Sequence, residues 1–147
     1  MADKNKIGKK YPFTWMVERG KIRELVEAIG DDNPIYKNAE AAREKGYKNI
    51  VAPPTFAFVS VMWSGVFLRA INDLGIEFAR IMHAEQGYEY YNEIFPGDTL
   101  IGVMEVKEII EKKGKSGDLD FIQFENTYTN QHDELVLREE ILLVERK

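Results

Sequence analysis

The chain has 147 residues, with 20 Lys+Arg against 25 Asp+Glu for a net charge of −5, and 44% of its side chains are hydrophobic. This length predicts a single domain, residues 1–147, and the apolar content excludes a disordered or low-complexity chain. Zero cysteines exclude a disulfide framework, a thiolate nucleophile and a Cys-ligated metal; the acidic balance, with no basic stretch carrying interleaved aromatics, argues against nucleic acid.

Met1 to Lys10 is polar, carries four lysines and has no apolar core of the kind a signal peptide needs. Lack of cysteine fits a reducing compartment, so a cytoplasmic location is expected. Tyr11–Val17 reads as a strand or extended arm. Glu18–Ile29 carries Ile22, Leu25, Val26 and Ile29 on one helical face, and Gly30 stops it. Asp31-Asp32-Asn33-Pro34 is a dense turn cluster. Asn38–Lys45 predicts a second short helix, with Gly46 past its end.

Thr55–Leu74 predicts one long helix, with Pro53-Pro54 placed ahead of its start. From Pro54 to Leu68 it carries no charge and keeps to no single stripe, so it must be buried all round or sit in a membrane. The uncharged run is 15 residues, short of the ~20 a span requires. A membrane location is therefore not expected.

After this helix the period changes. Phe78–Tyr91, Thr99–Glu111, Leu119–Asn130 and Leu135–Val144 are rich in Ile, Val, Phe, Tyr and Thr. Turn clusters at 96–98, 113–118 and 131–134 separate them. This predicts an antiparallel meander that twists and curls. A helix apolar on every side needs a sheet that wraps it. The expected fold is thus α+β: a hot-dog fold, a curled antiparallel sheet wrapped around one long central helix. One sheet layer cannot cover the whole helix, so edge-to-edge pairing into a homodimer or heterodimer is expected.

Several residues admit two readings. Asp31, Asp32 and Asn33 can be a helix-terminating turn or carry acid–base chemistry. His83 and Glu85, two apart on a predicted strand, are expected to share a face; His83 is either an acid–base group or an ordinary strand histidine. His132 falls in a polar turn. Tyr88, Tyr90, Tyr91 and Phe95, like Phe13 and Trp15, either line a ligand channel or pack an interface. Lys112, Lys113 and Lys115 form a basic turn, either solvated or facing phosphates. With two histidines and no cysteine, no metal site is expected.

The segment Ala28-Ile29-Gly30-Asp31-Asp32-Asn33-Pro34-Ile35-Tyr36, with Ala41 and Ala42 beyond it, resembles the signature of MaoC-like (R)-specific enoyl-thioester hydratases, Gly-Asp-x-Asn-Pro-(apolar)-His. Ile50 to Phe56 resembles the lead-in to the hot-dog helix of that family, and Pro96-Gly97-Asp98-Thr99-Leu100 its Pro-Gly-Asp turn. The match is closest to the FAS1-like dehydratase branch, which includes the accessory A-type subunit of mycobacterial (3R)-hydroxyacyl-ACP dehydratase. His83 to Tyr90 also has that branch's look.

The resemblance implies hydration of a 2-enoyl thioester or its reverse, on CoA or acyl carrier protein. That chemistry needs a base for water, an acid for C2 and donors for the thioester oxygen. Carried over, Asp31 is the base and Asn33 helps hold the loop. Tyr36 stands where the family has His; an ordinary tyrosine titrates near ~10 rather than ~6.5. Ala52-Pro53-Pro54 stands where active members read His-Gly-(apolar), and Pro53 has no N–H for the oxyanion. Thr55 and Phe56 are the substitute amide donors, so Pro53, Pro54, Thr55 and Phe56 form the expected substrate-binding segment. Water is the nucleophile, so no cofactor is implied. Two alternatives accompany this reading: a non-catalytic acyl-binding partner of a second hot-dog subunit, and an acyl-CoA thioesterase.

Overall fold

The computed structural model describes residues 2–114 and 117–146. In chain order it contains β1 (Lys10–Met16), α1 (Arg19–Ile29), α2 (Ala39–Glu44), α3 (Phe56–Trp63), α4 (Val66–Asp73), β2 (Ile81–Tyr90), β3 (Thr99–Lys112), β4 (Leu119–Thr129) and β5 (Leu135–Arg146). The strands form one antiparallel sheet in the order β1-β3-β4-β5-β2. This is the expected α+β architecture.

Strict alternation drives the sheet. In β4 every second residue from Asp120 to Tyr128 is buried, and the apolar members, Ile122, Phe124 and Tyr128, join the core with Leu137, Ile141 and Leu143 of β5. The helices cover this face. α1 buries Ile22 and Val26 and ends at Gly30, whose left-handed φ of 68° only glycine adopts without strain. α3 buries Phe56, Ala57, Ser60 and Val61.

Three expectations need correction. The helix over Thr55–Leu74 is two helices. Gly65 adopts φ 75° between them, and Ser64 Oγ accepts the Val66 amide at 3.4 Å. A Ser-Gly pair supplies both a cap and a left-handed residue, so it breaks what hydrophobicity alone leaves continuous. Nor is α3 buried all round: Met62 is 37% and Trp63 63% exposed, leaving an apolar stripe uncovered. The strands are not a simple meander either. β2 pairs with β5, not β3. The 96–98 turn docks on the end of β1 instead of closing a hairpin: Gly97 N donates to Val17 O, and Val17 N to Asp98 O, both at 2.8 Å. Residues Phe78–Arg80, expected to begin a strand, form a 3-10 turn.

The N-terminal segment is tied to α4 through Asp73. Its carboxylate accepts Tyr11 Oη at 2.8 Å and pairs with Lys6 and Lys9 at 3.2 and 2.5 Å. No helix among the described residues is long and apolar enough to cross a membrane.

Candidate active site

The loop after α1 is built by its own side chains. Asp31 N closes the helix end on Val26 O at 3.1 Å. Asp31 Oδ1 accepts Asn33 N at 2.8 Å, and Asn33 Oδ1 accepts Ile35 N at 3.2 Å. These successive side-chain-to-backbone turns are what Asp and Asn favour. They launch a 3-10 turn, Pro34–Tyr36, which holds Tyr36 half-buried against the core. Asp31 is itself half-buried, and its Oδ2 takes no hydrogen bond among the described residues.

Ile35 O accepts Val51 N at 3.3 Å, and Ala52 N donates to Ile94 O at 2.9 Å. These bonds set the Pro53-Pro54 approach to α3 beside the Asp31 loop. Pro53 is buried and Pro54 exposed. The Phe56 amide donates to Pro53 O at 2.9 Å, so it is occupied. The Thr55 amide makes no hydrogen bond among the described residues and lies exposed at the start of α3, where the helix dipole favours negative charge. Of the two expected donors, only Thr55 is open to an oxyanion.

Tyr90 joins the two segments. Its hydroxyl donates to Pro54 O at 2.6 Å. Burial holds that phenol well above the usual tyrosine value, and the charges of Tyr88, Glu139, Glu93 and Tyr36 add to the effect. Tyr36 is likewise raised, by burial first and then by the charge of Asp31. Asp31, Tyr36, Tyr90 and Pro54 therefore share one electrostatic neighbourhood. Within it Tyr36 holds its proton more tightly than an ordinary phenol.

His83 lies elsewhere. It stacks on Phe58, with ring centroids 5.5 Å apart and planes 10° from parallel. It lines an apolar cavity of about 200 Å³ with Met62, Phe67, Phe78, Ile81 and Leu143. Six to seven residues of β2, roughly 20 Å of strand, separate it from Tyr90. Nor does it share a face with Glu85. The register slips between them, so His83 faces Leu143 and Glu85 faces Leu142; Ala84 is the extra residue of a β-bulge. His132 is exposed in its turn. Lys112 sits over the Phe121 ring at 4.3 Å, Lys113 is exposed, and Lys115 lies outside the described residues. Phe13 packs edge-on against Tyr128 at 5.6 Å. No group of three or more His, Asp or Glu side chains among the described residues could hold a metal.

A buried polar cluster beneath α3 was not singled out from the sequence. Glu139 of β5 is fully buried. It accepts Gln86 Nε2 at 2.5 Å, Tyr128 Oη at 2.6 Å and Asn126 Nδ2 at 2.7 Å. Burial pushes its carboxyl up, against the opposing effect of the three donors. Tyr128 Oη also lies 3.4 Å from Ala57 O. The cluster thus underlies the first turn of α3, while Tyr90 holds its lead-in from the other side. The sequence did carry a signal: Leu137, Glu139, Ile141 and Leu143 alternate onto one face, with a glutamate at a core position.

The profile of the FAS1-like dehydratase domain region matches residues 6–139. A UPF0336 protein of Saccharopolyspora erythraea is 35% identical over 146 residues, covering 98% of this chain and 91% of its own length. Among solved structures, the HadBC (3R-hydroxyacyl-ACP dehydratase) complex of Mycobacterium tuberculosis superposes with TM-score 0.81 at 26% identity, over 95% of this chain and 96% of that one. The ChsH1-ChsH2 complex of the same organism gives TM-score 0.73 at 26% identity, over 95% and 83%. The chain belongs to the FAS1-like dehydratase family, with the hot-dog fold of the MaoC-like dehydratases.

Proposed function

We propose that the chain is a component of an (R)-specific enoyl-thioester hydratase, or 3-hydroxyacyl-thioester dehydratase, acting on acyl-CoA or acyl carrier protein. The observation that carries this reading is the Asp31 carboxylate. One of its oxygens accepts the Asn33 amide and the other takes no hydrogen bond among the described residues, close enough to Tyr36 for its charge to act on that phenol.

In the hydration direction Asp31 takes a proton from water as the oxygen bonds to C3. The proton taken up by Asp31 is then passed to C2, so that water adds across the C2–C3 double bond, which becomes single, and the Asp31 carboxylate is regenerated. The Tyr36 hydroxyl donates a hydrogen bond that orients the water. The Thr55 amide receives the charge that develops on the thioester oxygen. Asn33 holds the loop, and Pro53 and Pro54 shape the approach to α3. His83, stacked on Phe58, takes no part within the same subunit. A cytoplasmic setting belongs to the same reading and agrees with a composition free of cysteine.

The test is hydration of crotonyl-CoA, followed as loss of enoyl absorbance, with Asp31→Asn alongside. Asparagine keeps the acceptor of the Asn33 turn, so the fold is retained while the base is lost. We expect a fall of ~10²-fold or more. Equal rates in the two proteins would remove Asp31 from the chemistry. No turnover by either would assign the chain the non-catalytic partner role.

A further inference from the structure

A second cleft adjoins the candidate site. On one side it is lined by Arg19, Gly20, Arg23 and Glu27 of α1, and on the other by Tyr36, Lys37 and the buried Ile50. Its volume of about 460 Å³ exceeds that of the apolar cavity beside His83 and falls in the usual range of small-molecule sites. Tyr36 belongs to both places. It is a wall of the cleft, and the charge of Asp31 acts on its phenol.

The chain carries a net charge of −5, yet this cleft is lined by three cations and one carboxylate. Arg19 Nη2 donates to the neutral Asn49 Oδ1 at 2.8 Å, and the same oxygen accepts the Ile50 amide at 2.9 Å. The Arg19 guanidinium is therefore held in place by a group that leaves its charge uncancelled. The other two cations have only surface partners. Arg23 Nε lies 3.7 Å from Glu27 Oε1, with side chains 69% and 64% exposed. Lys37 Nζ lies 3.0 Å from Oδ1 of Asp32, which is fully in solvent. Such pairs are worth little in water and yield readily to a stronger anion. Gly20 keeps the opening clear, since a Cβ there would meet nothing within 4 Å. A guanidinium fixed in place, a second one free to turn and an ammonium, all around one opening, form a donor set suited to a phosphate ester.

We propose that this cleft binds the 4′-phosphate of the phosphopantetheine arm that carries the acyl thioester, with Arg19, Arg23 and Lys37 as its donors. The arm has a thioester at one end and a phosphate ester at the other, so one ligand reaches from the Asp31 side of Tyr36 into the cleft. The same arm occurs in CoA and on acyl carrier protein. Its identity rests on the function proposed above; the preference for a phosphate does not.

The test titrates the full chain with pantetheine, 4′-phosphopantetheine and CoA, following backbone amide shifts by nuclear magnetic resonance. At 20 mM NaCl both phosphate-bearing probes should bind ~10-fold or more tightly than pantetheine, the scale of one charge-assisted hydrogen bond. The shifts should centre on Gly20, Lys37 and Asn49. Raising NaCl to 500 mM should remove most of the advantage. Equal affinity for 4′-phosphopantetheine and CoA places recognition on the arm alone, as a carrier protein would present it. Tighter binding of CoA adds its nucleotide phosphates; either result supports the proposal. Gly20→Glu puts a carboxylate into the opening where the backbone has room for it, and Gly20→Gln is its uncharged match; circular dichroism checks that both are folded. The glutamate should weaken CoA binding ~10-fold or more, whereas the glutamine should leave it within about threefold. Phosphate-bearing probes no tighter than pantetheine would overturn the proposal. So would shifts that miss the cleft, or equal effects of the two substitutions. Because the readout is binding, a chain without crotonyl-CoA hydration leaves the proposal standing, and a failed titration leaves the Asp31 result untouched.

Discussion

Glu139 allows a sharp test of what the buried cluster beneath α3 contributes. In Glu139→Leu the volume is nearly conserved, but three donors lose their acceptor. Gln86 is half-exposed and can turn to water. Tyr128 can fall back on Ala57 O, 3.4 Å away. Asn126 is fully buried and has no such alternative. One orphaned buried donor and one weakened charge-assisted bond together cost about 2–4 kcal/mol, a fall in Tm of roughly 6–12 °C for a chain of this size. Glu139→Gln keeps the shape, and the Gln86 amide can reverse to suit it, so the loss is below ~1 kcal/mol. The pH dependence separates the two explanations of any loss. The folded-state carboxyl titrates above its ordinary value of 4.5 because it is buried. Its stabilising contribution is therefore complete below that value and is lost as pH rises through the folded-state value. Wild-type stability should thus fall relative to Glu139→Gln as pH is raised from 4 to 8. Urea denaturation across that range, on all three proteins, is the assay. A wild-type-to-Gln gap that does not change with pH, or a Leu variant as stable as the Gln variant, would refute the reasoning.

Two further outcomes follow from particular contacts. A Cβ on Gly102 would clash with the Cζ end of the Phe13 ring, so Gly102→Ala should destabilise the chain by ~1–3 kcal/mol through overpacking. Adding Phe13→Ala should bring a smaller further loss than Phe13→Ala causes by itself, as read by a double-mutant cycle in urea. The Asp73 carboxylate is held far below its ordinary value, chiefly by hydrogen bonds from Lys9 and Tyr11. Its contribution is present above the unfolded-state value near 4 and lost as pH falls below it. Asp73→Asn should therefore flatten the acid limb of a thermal-stability profile between pH 5 and 2 while leaving its shape above pH 6 unchanged.

Much of the fold was legible because it follows from local rules. The face of Ile22, Leu25, Val26 and Ile29, stopped by Gly30, is a helix in any context that buries it. The alternation of Ile122, Phe124 and Tyr128 is a strand over a core. The failures have a common physical character. Ser64-Gly65 looks like two small residues within an apolar run until Gly65 takes φ 75°. The 96–98 turn has the composition of a hairpin but spends its backbone groups on Val17. In both cases conformation or distant hydrogen bonding decides, and hydrophobic periodicity records neither.

The same distinction runs through the site, and one residue shows it best. The Asp31 loop could be read because its bonds span two residues: Asp31 to Asn33, Asn33 to Ile35. Gln86, Asn126, Tyr128 and Glu139 could not be assembled, because three strands meet there. What joins them is the bulge at Ala84. With regular alternation from His83, the side chains of Glu85 and Glu89 would turn inward against the helices, and Gln86, Tyr88 and Tyr90 would face outward. The extra residue reverses that order. It sends Gln86 to the Glu139 carboxyl and Tyr90 to the Pro54 carbonyl, and it leaves Glu85 and Glu89 on the outer face of the open edge. The hydrogen bonds that brace both sides of the approach to α3 and the outward placement of Glu85 and Glu89 thus have one structural cause. Deleting Ala84 should perturb both together, as no surface substitution on β2 would.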